Sequence, residues 1–99
     1  MVRLFLALAA ALTVSSAQAA DSRNGEALAR RWCASCHVVA PDQRGTASEA
    51  PPFASIAKRP DFDARAVAFF LLNPHPKMPD MGLSRPATED IAAYIASLK

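Results

Sequence analysis

An all-α fold is what this chain predicts, from three observations. Apolar residues recur at i, i+3, i+4 and i+7 in separate stretches. No stretch alternates apolar and polar residues over the length of a strand, and no segment repeats. Prolines gather in two stretches that separate the helical patterns, where they bar both helix and central strand.

Residues 1–20 stand apart from that domain. Met1-Val2-Arg3 is a short positive start, Leu4 to Val14 is an apolar run, and Ala17-Gln18-Ala19 is a small-x-small cleavage signature. The run is too short to span a bilayer, and no later stretch is long enough to try. A secretory signal peptide cut near Ala19 or Ala20 is expected, with an uncleaved anchor as the alternative. The domain is then 21–99 and exported, in bacterial terms to the periplasm. Of eleven basic residues Arg3 leaves with the leader, so net charge falls from +2 to about +1. Such a balance excludes the concentrated basic face of a nucleic-acid binder. About 80 residues make an apolar core marginal without a staple. Both cysteines lie in one motif, so a disulfide framework is not the staple.

The first helix is expected from Ser22 to about Cys33, capped by Asp21 or Ser22. Gly25, Leu28, Ala29 and Trp32 share one face, and Gly25 suits close approach to another helix. Val38 to Pro52 reads as loop. A short helix follows from Phe53 to Lys58, with Phe53 and Ile56 inward. After Arg59-Pro60, Asp61 or Asp63 caps a third helix to about Leu72. Its apolar end (Val67, Phe69, Phe70, Leu71, Leu72) covers most of the circumference, as expected where something large lies against it. Residues 73–83 form a proline-rich loop. A last helix, capped by Ser84 or Thr88, runs to Leu98 with Ile91, Tyr94, Ile95 and Leu98 on one face.

The chemistry lies in Cys33-Ala34-Ser35-Cys36-His37. Two cysteines separated by two residues and followed by histidine form the attachment sequence of a c-type haem. Two thiols add to the two haem vinyl groups, and the next residue supplies an imidazole nitrogen to the iron. Covalent haem c, one per chain through Cys33 and Cys36, would be the missing staple. A ligating histidine usually donates its other ring N–H to a carbonyl, and Pro51 or Pro52 offers one. The opposite face of the iron decides the function. Met78, Met81, His75 and Lys77 are its candidates. Met78 is favoured, because Pro79 biases it towards extended backbone in a stiff loop. Met81 reads more as a core filler, and His75 as a solvated loop residue.

With these features on the mature chain, the sequence resembles the small bacterial class I cytochromes c, monohaem electron carriers. The resemblance rests on Gly25 before the Cys33-x-x-Cys36-His37 loop, the Ala50-Pro51-Pro52-Phe53 segment, Met78-Pro79 and Ile91-x-x-Tyr94. It implies about four short helices around one haem. It also implies a crossing of first and last helices at Gly25 and Tyr94, a bond from His37 to Pro51, and Met78 as second axial ligand. Ala29 stands where the family often has an aromatic residue, leaving Trp32 to fill that space.

The expected function is electron transfer without catalytic acid–base residues, by a monomer meeting redox partners transiently and crossing no membrane after processing. Arg30, Arg31, Lys58, Arg59 and Lys77 are candidates to rim an exposed haem edge. Three other readings compete. A five-coordinate haem would bind a gas or turn over peroxide, and a haem-free dithiol would use Cys33 and Cys36 in redox exchange. A dedicated haem subunit of a larger dehydrogenase or oxidase would keep a stable partner. A zinc site is poorer still, for two cysteines and one adjacent histidine give poor tetrahedral geometry.

Overall fold

The computed structural model describes Leu12 and residues 19–45, 49–73 and 77–99. Four helices follow one another: α1 (Ser22–Trp32), α2 (Phe53–Ala57), α3 (Ala64–Leu72) and α4 (Arg85–Ala96). Among the described residues there is no strand, and the all-α expectation holds. The leader, save Leu12 and residues 19–20, lies outside the described residues.

Each longer helix begins on a side-chain cap, and the chain settles each pair of candidates. Asp21 Oδ1 accepts from the Arg23 and Asn24 amides at 2.9 and 3.2 Å. Asp63, not Asp61, caps α3 through the Arg65 and Ala66 amides. Ser84, not Thr88, accepts from the Ala87 amide and starts α4, with Pro86 in its first turn. Such caps contribute about 1 kcal/mol each. Thr88 instead turns its hydroxyl onto the Arg85 carbonyl at 2.8 Å and is fully buried. Two ends differ from the sequence reading. α2 stops at Ala57, and α4 stops at Ala96 because its last turn tightens: the Ser97 amide reaches both Ala93 and Tyr94 carbonyls, and the Leu98 amide bonds Ile95.

α4 is the element on which the others assemble, with α1, α3 and α2 all packed against it. α1 crosses it at Gly25, where an added Cβ would run into the Asp90 carbonyl and stand 2.9 Å from Tyr94 Cβ. The absent side chain is what lets the two backbones meet. The Asp90 carboxylate locks the crossing by accepting from the Asp21 amide and Asn24 Nδ2, at 2.7 and 2.8 Å. Ala29, Val39, Phe53, Ala57, Leu71, Ile91, Tyr94 and Ile95 close the core.

The apolar residues of α3 divide between faces. Ala68 and Leu71 are buried, while Phe70 is 40% and Phe69 75% exposed. One face of α3 packs on α4 and a second, bearing Phe70, borders the open cleft; Phe69 lies on an outer groove. Trp32 departs from its expected place. It is 40% exposed and lines the cleft, so Ala29, completely buried, makes the core contact by itself.

Candidate haem site

The site begins where α1 ends. The Cys33 amide still bonds the Ala29 carbonyl at 2.8 Å, and the Cys36 and His37 amides both return to the Cys33 carbonyl, at 3.2 and 2.9 Å. The motif is thus wound as a tight turn on the C-terminal end of α1. Both thiols and the imidazole border a single cavity of about 750 Å³, within the range of pockets that enclose a cofactor.

The returning segment holds the turn from below. The Ala50 amide bonds the Cys36 carbonyl at 3.2 Å and the Phe53 amide bonds Val38 at 2.9 Å. Between them His37 Nδ1 donates to the Pro51 carbonyl at 2.6 Å. A carbonyl only accepts, so Nδ1 carries the proton of this bond and Nε2 is the ring nitrogen not committed to it. The His37 ring lies against Phe53 with centroids 5.1 Å apart, and Phe53 against Tyr94 at 6.5 Å. Tyr94 closes the wall by donating its hydroxyl to the Val39 carbonyl.

Met78 and Met81 both border the cavity, as do Lys77 and Phe70. Met78 is partly buried and packs on the core cluster, and Met81 is partly buried too. His75 lies outside the described residues. Of the basic residues expected at a haem edge, Arg59 and Lys77 border the cavity. Arg31 stacks over Trp32, 4.7 Å from the ring centroid. Arg30 is engaged elsewhere, paired with Asp42 at 2.9 Å and Glu26 at 3.3 Å; the pairing raises Arg30 and lowers Asp42 from their ordinary pKa values.

Burial, with a smaller contribution from neighbouring Cys36, pushes the Cys33 thiol up to about 11. A thiol so protonated at neutral pH is a poor nucleophile in redox exchange, which counts against the dithiol reading. Among the described residues no group of three or more His, Cys, Asp or Glu is placed to hold a metal ion directly, as zinc needs. Haem c fits this donor set. It needs two thiols on one short turn, an imidazole beside them and a largely apolar cleft, and all three border this cavity.

Three contributors were not visible in the residue pattern. Gln43, in a loop that reads as featureless, reaches two carbonyls of the motif turn and the Val39 amide just beyond it. Glu49 borders the cavity and accepts from Cys36 Sγ at 3.6 Å. The Tyr94 hydroxyl reaches a loop 55 residues away. No spacing rule signals such long-range bonds.

An all-helical domain with crossed terminal helices and a CxxCH turn against a proline carbonyl defines a small monohaem c-type cytochrome. The chain belongs to the cytochrome family described as cytochrome c oxidase, cbb3-type, subunit III, whose model matches residues 20–95. It is similar to cytochrome c-552 of Bradyrhizobium diazoefficiens, 58% identical over 94 residues that cover 95% of this chain and 90% of that protein. No solved structure matches it. The family binds haem c covalently, and with it iron.

Proposed function

We propose that this protein is an electron carrier rather than an enzyme, with haem c bound through Cys33 and Cys36 and ligated by His37 and Met78. The observation that carries the reading is the His37–Pro51 bond, which commits one ring nitrogen and leaves the other for iron. A relative named cytochrome c-552 along nearly its full length supports it. When bound, the haem supplies an iron that cycles between ferric and ferrous states.

The rest is the work of the chain. The Cys33–His37 turn holds both attachment points and the imidazole on one wall. Pro51 holds the ring plane, and Phe53 and Tyr94 support it from behind. Ile56, Phe70 and Met81 give the cleft apolar lining that would lie against the haem and lower the dielectric that sets its potential. Met78 would supply a thioether to the haem, a ligand type that raises the potential. Residues 1–20 act as the export leader, and residues 21–99 work in the periplasm as a monomer that meets its partners transiently through a small interface. Among the described residues no helix is long and apolar enough to cross a membrane.

A second reading, a haem subunit held in an oxidase, draws on the family's printed description. A partner that co-purifies through salt and gel filtration would establish it.

The first test is the visible spectrum of the ferrous protein, made in a host that attaches haem c, before and after carbon monoxide. An unchanged low-spin spectrum is expected. A shift would mean the sixth position is open and would move the reading to gas or peroxide chemistry. No haem spectrum would overturn both.

A further inference from the structure

Among the loop residues after the motif, one side chain is used to its full donor capacity. Gln43 Oε1 accepts from the Val39 amide at 2.7 Å, while Nε2 donates to the Ala34 carbonyl at 3.2 Å and the His37 carbonyl at 3.0 Å. Only this orientation of the amide is consistent, because nitrogen must face the two carbonyls and oxygen the N–H. Both N–H donors are consumed by backbone of the motif turn. The three contacted residues bracket the turn: one inside it, one the histidine itself, one two residues beyond.

We infer that Gln43 is a positioning residue for His37, holding the backbone of the axial ligand as Pro51 holds its ring. The inference rests on the reading of His37 as the proximal ligand and deepens it. Pro51 alone fixes the imidazole about one hydrogen bond, and a ring so tethered can still swing if its own Cα moves. The Cys33 carbonyl, which accepts from the Cys36 and His37 amides, restrains the start of the turn. Gln43 restrains its exit by tying the Ala34 and His37 carbonyls to the Val39 amide, where the Phe53 amide holds Val38 and the Tyr94 hydroxyl holds the Val39 carbonyl. Two clamps, one on the main chain and one on the ring, define the orientation of the imidazole plane. That orientation governs how the ligand donates to iron, and its constancy keeps reorganisation on electron transfer small.

The choice of residue follows from the geometry. Asn would be a methylene short of the far carbonyls. Glu keeps the length and the bond from Val39, but its carboxylate would face the Ala34 and His37 carbonyls with no proton to give. Met keeps the volume and loses all three bonds.

The test compares four mature holoproteins: wild type, Gln43→Met, Gln43→Glu and Asp63→Ala, the last removing the α3 cap far from the turn. Three quantities are read for each: the spread of paramagnetically shifted haem-methyl resonances in the ferric state, the reduction potential, and the thermal midpoint. Both Gln43 variants are expected to alter the methyl pattern, which follows the imidazole plane. Gln43→Glu is expected to lower the potential further than Gln43→Met. Asp63→Ala is expected to lose midpoint with neither change. If the Gln43 variants lose midpoint while keeping the wild-type methyl pattern and potential, Gln43 is merely structural and the inference fails. If neither variant accumulates, amide exchange in the wild type decides: a Val39 amide exchanging as fast as open loop overturns the inference, and a protected one supports it. A wild type with no imidazole–iron signature would instead overturn the His37 reading, and the role of Gln43 with it.

Discussion

The two walls of the cleft are built by different means. The proximal wall, Cys33 to Phe53, is knitted by hydrogen bonds between segments distant in sequence: Ala50 to Cys36, Phe53 to Val38, His37 to Pro51, Gln43 to three partners, Tyr94 to Val39. The distal wall, residues 77–83, takes its order from covalent stiffness. Pro79 restricts Met78, Asp80 Oδ1 accepts from the Gly82 amide at 2.9 Å, and Gly82 adopts φ +62°, a turn geometry that disfavours other residues. A networked wall would set the proposed ligand His37 before the cofactor arrives. A stiff loop would present the proposed ligand Met78 through local turn geometry. The comparison teaches that damage to the proximal wall should spread, whereas damage to the distal wall should stay local.

Substitution of the two proposed ligands tests that contrast directly, and His37→Ala should have the larger effect. It removes the imidazole, leaves the Pro51 carbonyl without its donor and takes away the ring that packs on Phe53. The expected outcome is loss of low-spin haem and a sharp fall in holoprotein yield, read from the visible spectrum of purified material. Met78→Ala should leave haem attached and the fold intact. It should lower the reduction potential, because the thioether that raises it is gone, and it should admit carbon monoxide to the ferrous protein. Met81→Ala, at the same cavity, should do neither. Equal damage from His37→Ala and Met78→Ala would erase the distinction between the walls.

Behind the proximal wall stands the α1–α4 crossing, whose tightness is set by backbone. Gly25→Ala places a Cβ into the Asp90 carbonyl, which cannot swing aside as a side-chain tip does. Overpacking of this kind costs about 2 kcal/mol. For a domain of this size that lowers the thermal midpoint by roughly 10 °C. The haem spectrum of the surviving fold should be unchanged, since Gly25 does not itself line the cavity. A midpoint within error of wild type would mean the helices part at little cost.

The difference between the walls also explains what the sequence made legible. Helix starts were readable because caps are local: Asp21, Asp63 and Ser84 each bond an amide two or three residues on. Gly25 and Tyr94 were paired by resemblance, and the structure brings them together. The motif announced the cofactor because thioether attachment demands a fixed spacing. Two things escaped. Trp32 lines the cleft while the small Ala29 takes the core position, a division that their shared helical face does not reveal. Gln43 escaped because its partners are backbone atoms, and any residue provides those.

Tyr94 joins the crossing to the proximal wall, and removing its hydroxyl is the mildest test of how far the two are coupled. Tyr94→Phe keeps the ring on Phe53 and deletes the bond to the Val39 carbonyl. A buried carbonyl left without a donor costs about 1 kcal/mol, a loss of roughly 5 °C in thermal midpoint. The pH dependence carries a sign as well. Burial is the main cause that raises the Tyr94 hydroxyl above its ordinary value of 10.0, with nearby Glu26 adding to it. Folding therefore favours the protonated phenol. Its contribution is fully present below pH 10 and fades as pH rises through the raised value. Wild-type stability should bend downward above pH 10, and the Tyr94→Phe curve should bend less, so that the two converge in alkali. The hydroxyl holds Val39, which also donates its amide to Gln43. Loss of one bond to Val39 should therefore leave the methyl pattern of the haem close to wild type, while loss of Gln43 moves it. If Tyr94→Phe shifts that pattern as much as Gln43→Met does, the wall moves as one unit and no single residue positions the ligand.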